Sequence, residues 1–164
     1  MATLRSLALA AALLPAALPL SAQGTGSGSD VRVGVTFGGI STVGVTLEWV
    51  DEHRSLDLTV GTWSFRDLSV SAVVKEYFGA GDLLPFVGAG IWLVAAYPEE
   101  GRTGLAAVLQ APIGVDWQAA EGSYVGMNLN VNRALAVRRT DPEDDLPLSR
   151  RLVPLPGVYY RWKR

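Results

Sequence analysis

Cysteine is absent from the 164 residues, histidine occurs once, methionine twice, and only 18% of the chain is charged. Without cysteine no disulfide can staple the fold, so a small exported domain must hold itself together by other means. One histidine and no thiol leave no ligand set for zinc or copper, and no cofactor is expected. Fourteen basic and sixteen acidic residues nearly cancel, for a formal charge of −2, which argues against a nucleic-acid partner. Long apolar runs are also missing. Leu7 to Leu20, roughly 14 residues, falls short of the ~20 a transmembrane helix requires.

That run has another meaning. Arg5 precedes it, Pro15 and Pro19 interrupt it, and Ser21-Ala22-Gln23 supplies small residues for cleavage. Residues 1–23 are therefore expected to be a cleavable signal peptide, and 24–29 (GTGSGS) a flexible leader. Residues 30–164 are the size of one domain.

The remainder repeats one pattern. Val31, Val33, Val35 and Phe37 are interleaved with Arg32, Gly34, Thr36 and Gly38; Val43, Val45, Leu47 and Trp49 follow, and later Ala111, Ile113, Val115 and Trp117. A period of two marks a strand with two unlike faces. Eight such strands are expected, over 31–37, 42–50, 56–63, 68–78, 85–97, 103–118, 124–132 and 153–162. A long polar loop would then cover 133–151. The fold class follows: all-β, an eight-stranded antiparallel up-and-down transmembrane β-barrel, apolar outside and polar within.

Two sets of residues stand out in that arrangement. Phe37, Trp49, Phe78, Tyr97, Trp117, Tyr160 and Trp162 fall on the outward face as an aromatic girdle. Trp49, Phe78, Trp117 and Trp162 mark the periplasmic rim, with Phe37 and Tyr97 at the opposite one. On the inward face, Arg32, Glu48, Asp57, Lys75, Asp116 and Arg161 map to one end of the lumen. Three acids and three bases enclosed in a narrow barrel must pair, and an ion-pair plug is expected. Ser69, Ser71, Gln110, Asn128 and Asn130 continue a hydrogen-bonded interior above it.

Catalytic chemistry finds little support. His53 lies in a turn among Asp51, Glu52 and Arg54, and Ser55 beside it has no protected site in which a nucleophile could work. Asp141, Glu143, Asp144 and Asp145 form the densest acidic cluster but lack the spacing and glycine of a calcium loop, so a solvated loop is the better reading. Arg133, Arg138, Arg139, Arg150 and Arg151 flank that cluster; they suit lipid phosphates and equally suit the acids beside them. Gly88-Ala89-Gly90 lies inside a strand with no helix after it, which rules out a nucleotide loop.

Lys75-Glu76-Tyr77-Phe78, followed after a short turn by Pro85-Phe86-Val87-Gly88-Ala89-Gly90, resembles small bacterial outer-membrane β-barrel proteins. The resemblance implies an outer-membrane location and contact with its lipid, while the charged residues of the long outer loop make lipopolysaccharide, bridged by a divalent cation, a candidate partner there. The lipid A-modifying enzymes among them use a histidine with a serine and an acid near the outer half. No residue here matches that histidine, so a structural or interaction role without catalysis is implied. The C-terminus departs from the family by ending Trp162-Lys163-Arg164 instead of on an aromatic. Pro154 and Pro156 put the closure between the last strand and the first in question. The rival from another class is a soluble periplasmic lipocalin-like barrel, whose Val/Leu/Ile face would line a cavity for a hydrophobic ligand.

Overall fold

In the computed structural model, which describes residues 30–99, 102–141 and 151–164, the chain is all-β and closes into one barrel. The strands are β1 (Asp30–Gly38), β2 (Ser41–Asp51), β3 (Arg54–Thr62), β4 (Asp67–Tyr77), β5 (Leu83–Ala96), β6 (Gly104–Ala120), β7 (Ser123–Arg138) and β8 (Val153–Lys163). Each pairs antiparallel with its neighbours, and β1 pairs with β8 to complete the ring. Closure leaves no free sheet edge along the shared part of the wall, which compensates for the missing disulfides. Residues 1–29, expected to be the signal peptide and leader, lie outside the described residues, as does most of the acidic cluster at 141–145.

The register fixes the stagger of the barrel. One walk from Thr36 crosses Gly44, Gly61, Ser69 and Val94 to reach Ala106 on β6. The opposite walk crosses Tyr159 and Gly126 and arrives on β6 at Asp116, ten residues away. Ten residues over eight strands correspond to a tilt of about 40°, so each paired row climbs about 3 Å per strand. The end opposite Trp49, Trp117 and Trp162 is therefore cut obliquely. Phe37 and Tyr97 do not share a rim as the sequence suggested: Tyr97 stands roughly 17 Å higher along the axis.

The strands expected from alternation match the observed ones in position and differ in length. β7 does not stop at Asn132 but runs on to Arg138, so residues 133–138 belong to the wall instead of the expected loop. Leu135 is an extra residue there: Ala107 pairs with Ala136 and Val108 with Ala134. Such a bulge breaks the alternation that marked the rest of the strand.

The prolines of β8 do not open the barrel. β1 ends against Gly157, and the Pro156 carbonyl accepts the Gly39 N–H at 2.7 Å beyond it. Within a strand, N–H and C=O of one residue face the same neighbour, so Pro156 and Pro154 turn their missing donors to the side β1 has already left. Their other side still pairs with Leu129 and Val131. Gly39 makes this tight return at φ 69°, a conformation costly for any residue with a Cβ. Pro112 is the proline the alternation pattern hid. Pairing between β5 and β6 jumps from Val87–Ile113 to Gly90–Gln110, a gap where Pro112 has no N–H to give.

Candidate functional site

The two faces of the wall have opposite chemistry. Outside are Val33, Val35, Val45, Val60, Val70, Val74, Ile113 and Met127, with Val45 as much as 58% exposed. Inside, Glu48 and Asp116 are wholly buried at 0% exposure, and Arg32, Asp57, Lys75 and Arg161 are buried with them. This is the inverse of a lipocalin-like barrel, whose apolar side chains would line the cavity.

All six inward charges expected from parity meet in one cluster. Glu48 and Asp57 face each other directly across β2 and β3, a repulsive pair left alone. Lys75 from β4 lies between them, with Nζ 3.0 Å from Glu48 Oε1 and 2.5 Å from Asp57 Oδ2. From the far side of the ring, Arg161 on β8 spans all three acids. It holds Asp57 through Nη2, Glu48 at 3.2 Å and Asp116 at 3.6 Å. Arg32 stands 3.6 Å from Glu48 and 3.7 Å from Asp116. Each acid is thus shared by at least two cations. The arrangement matters because a buried charge deprived of its partner costs several kcal/mol.

Hydroxyl groups complete the cluster. Ser55 donates to Glu48 at 2.7 Å, and Thr46 and Thr59 donate to Asp57 at 2.7 and 3.0 Å. The Tyr77 hydroxyl lies 2.8 Å from Glu48 and 2.9 Å from Asp116, while Tyr159 donates to Asp116. The guanidinium groups also stack on rings, Arg32 3.7 Å above Tyr124 and Arg161 3.9 Å above Tyr159. Tyr159 finds room because residue 126 is glycine; a Cβ there would stand 2.2 Å from a ring carbon. The three tyrosines did not emerge from the sequence as cluster members. Their parity, matching that of Lys75, Asn128 and Arg161, was the available signal.

Above the charges the interior changes character. Ser71 donates to Gln110 at 2.9 Å, Gln110 to Asn130 at 2.7 Å, and Asn130 to Asn128 at 2.9 Å. A cavity of about 30 Å³ lies between this chain and the ion pairs, lined by Thr36, Ile40, Asp57, Lys75, Gln110 and Asn128 among others. That is room for about two water molecules, not for an organic ligand. Ser69, the fifth expected interior residue, is fully buried.

The seven expected girdle residues all lie exposed on the outer face. Trp49, Phe78, Trp117 and Trp162 share the end that carries the ion pairs, and the Tyr160 and Trp162 rings pack 6.0 Å apart. Trp63 and Phe65 at the opposite end are exposed aromatics that sequence reasoning did not assign. His53 occupies the exposed β2–β3 turn, whereas Ser55 points inward to Glu48, so the two do not converge.

The β3–β4 loop, above the apolar wall, is organised by Asp67. Its carboxylate accepts the Trp63 N–H at 3.0 Å, the Ser64 N–H at 2.9 Å and the Thr62 and Ser64 hydroxyls. Partial burial works against ionisation, but these donors outweigh it and hold the Asp67 carboxyl below the usual carboxylate range.

No family model, curated protein or solved structure matches this chain.

Proposed function

We propose that this chain is a small bacterial outer-membrane β-barrel protein with a structural or interaction role, closed by its ion-pair plug and without catalytic activity. One observation carries the reading: an apolar exterior wraps a charge-balanced set of buried ion pairs. In water such an exterior would be a sheet of unprotected hydrophobic surface far larger than soluble monomers tolerate. In a bilayer it is solvated by acyl chains, and the closed ladder satisfies the backbone. The wall rises about 15 Å on β1 and about 30 Å on β6, a range that brackets the ~25 Å band of outer-membrane barrels. Its lower edge is level, ringed by Trp49, Trp117 and Trp162 where amphipathic rings favour the headgroup region.

A plugged lumen argues against diffusion through the barrel, and the lone His53 in a solvated turn argues against acyl chemistry. Fractionation with the outer membrane and a heat-modifiable band on SDS gels are the expected outcomes; a freely soluble monomer would overturn the proposal. Val45→Arg, in the middle of the apolar face, is expected to cost roughly 2–4 kcal/mol of insertion and to block assembly. Normal assembly of that variant would show that this face does not meet lipid.

A further inference from the structure

The outer face of β7 carries two arginines whose placement depends on the bulge at Leu135. Were the alternation unbroken, Arg133 would point outward and Arg138 into the lumen. The extra residue shifts the phase, so Val137 faces inward opposite Ala106 while Arg138 joins Arg133 on the exterior, beside Leu105. Bulges re-aim side chains, and here the result is two guanidinium groups on one outer face, set against Leu109 and Leu105 of β6.

Their height is also defined. Trp117 pairs with Val125, and Arg133 lies eight residues beyond it on β7, about 20 Å higher along the axis; Arg138 stands about 30 Å above the tryptophan level. Those two heights enclose the far edge of a ~25 Å apolar band. Away from the strand ends, Arg133 is the one charged side chain on the outer face among the described residues. Three other exposed cations hold carboxylates, Arg54 with Glu76 at 2.7 Å, Arg66 with Glu99 at 2.6 Å and Lys163 with Asp30 at 2.6 Å, whereas Arg102 and Arg164 near strand ends hold none among the described residues. Arg133 and Arg138 hold none among the described residues.

We infer that Arg133 and Arg138 form a docking site for the headgroup phosphate of an anionic membrane lipid, whose acyl chains lie against Leu105, Leu109 and Leu135. The inference rests on the membrane reading above. The arginine stems lie along apolar surface while the heads reach the interface, and a guanidinium offers a phosphate two parallel donors. Positive charge at that level draws anionic lipid.

The test uses the full chain folded into phosphatidylcholine vesicles with and without phosphatidylglycerol, extracted gently and read by native mass spectrometry for retained lipid. Retention of phosphatidylglycerol over phosphatidylcholine by roughly tenfold or more is expected, weakening with salt. The double variant Arg133→Gln/Arg138→Gln should keep the heat-modifiable folded band and lose the preference. Equal retention by wild type and variant would overturn the site. So would complete displacement by millimolar inorganic phosphate, which would mark a free-anion site. A variant destabilised equally in both vesicles would assign the arginines to the fold instead. A chain that enters neither vesicle defeats the membrane reading itself, whereas insertion without headgroup preference defeats only this site.

Discussion

The two ends of the lumen solve the same problem with different chemistry. At the end ringed by Trp49, Trp117 and Trp162, six charges from six strands neutralise one another, and hydroxyls of Ser55, Thr46, Thr59, Tyr77 and Tyr159 fill the remaining acceptor sites. Toward the opposite end, neutral amides form a single chain, and Ser41, Ser69, Trp92 and Asn132 each keep one buried polar atom without a hydrogen-bond partner, as Arg32 Nε and Nη1 and Arg161 Nε do in the charged cluster. Charges in a dry interior admit few arrangements, because every alternative strands an ion. Neutral amides can exchange partners or take water at modest cost. The charged end therefore specifies the register of the ring, and the amide end tolerates rearrangement.

Breaking the charged end should have the largest effect. Arg161→Met leaves Glu48, Asp57 and Asp116 with one cation fewer among them and is expected to cost about 3–5 kcal/mol in denaturant unfolding of the folded barrel. Gln110→Leu cuts the amide chain between Ser71 and Asn130 and is expected to cost only about 1–2 kcal/mol by the same measurement. Equal losses from the two variants would abolish the contrast between the ends.

The loops extend the comparison at smaller scale. Asp67→Asn should loosen the β3–β4 loop, read as faster hydrogen exchange at Trp63 and Ser64. Because the folded carboxyl is held low, the protection it gives is complete above about pH 4 and fades as pH falls through the folded-state value. The asparagine variant should show no such pH dependence. At the other end Glu52 turns the β2–β3 hairpin at φ 50°, so Glu52→Gly should gain a few tenths of a kcal/mol, up to about 1, as a small rise in melting temperature.

Much of this was legible because a strand writes its two faces into alternate residues. Arg32, Glu48, Asp57, Lys75, Asp116 and Arg161 share inward parity on their strands, and that sufficed to bring them together on paper. Parity acts within one strand and is silent on stagger between strands. The oblique end, and the height difference between Phe37 and Tyr97, depend on cross-strand register that no local pattern records. Alternation also fails where a residue is inserted: Leu135 hid the last third of β7 and made Arg133 to Arg138 look like loop. Pro112 escaped notice because its neighbours Ala111 and Ile113 keep the beat on either side.

The position of Arg161 on the final strand ties charge balance to closure. Without β8, Arg32 and Lys75 face three carboxylates, and the interior carries a surplus negative charge. The last segment brings the third cation and the Tyr159 hydroxyl in one motion. Ring completion and electroneutrality thus coincide, and a chain truncated before β8 lacks the keystone that makes its own interior tolerable.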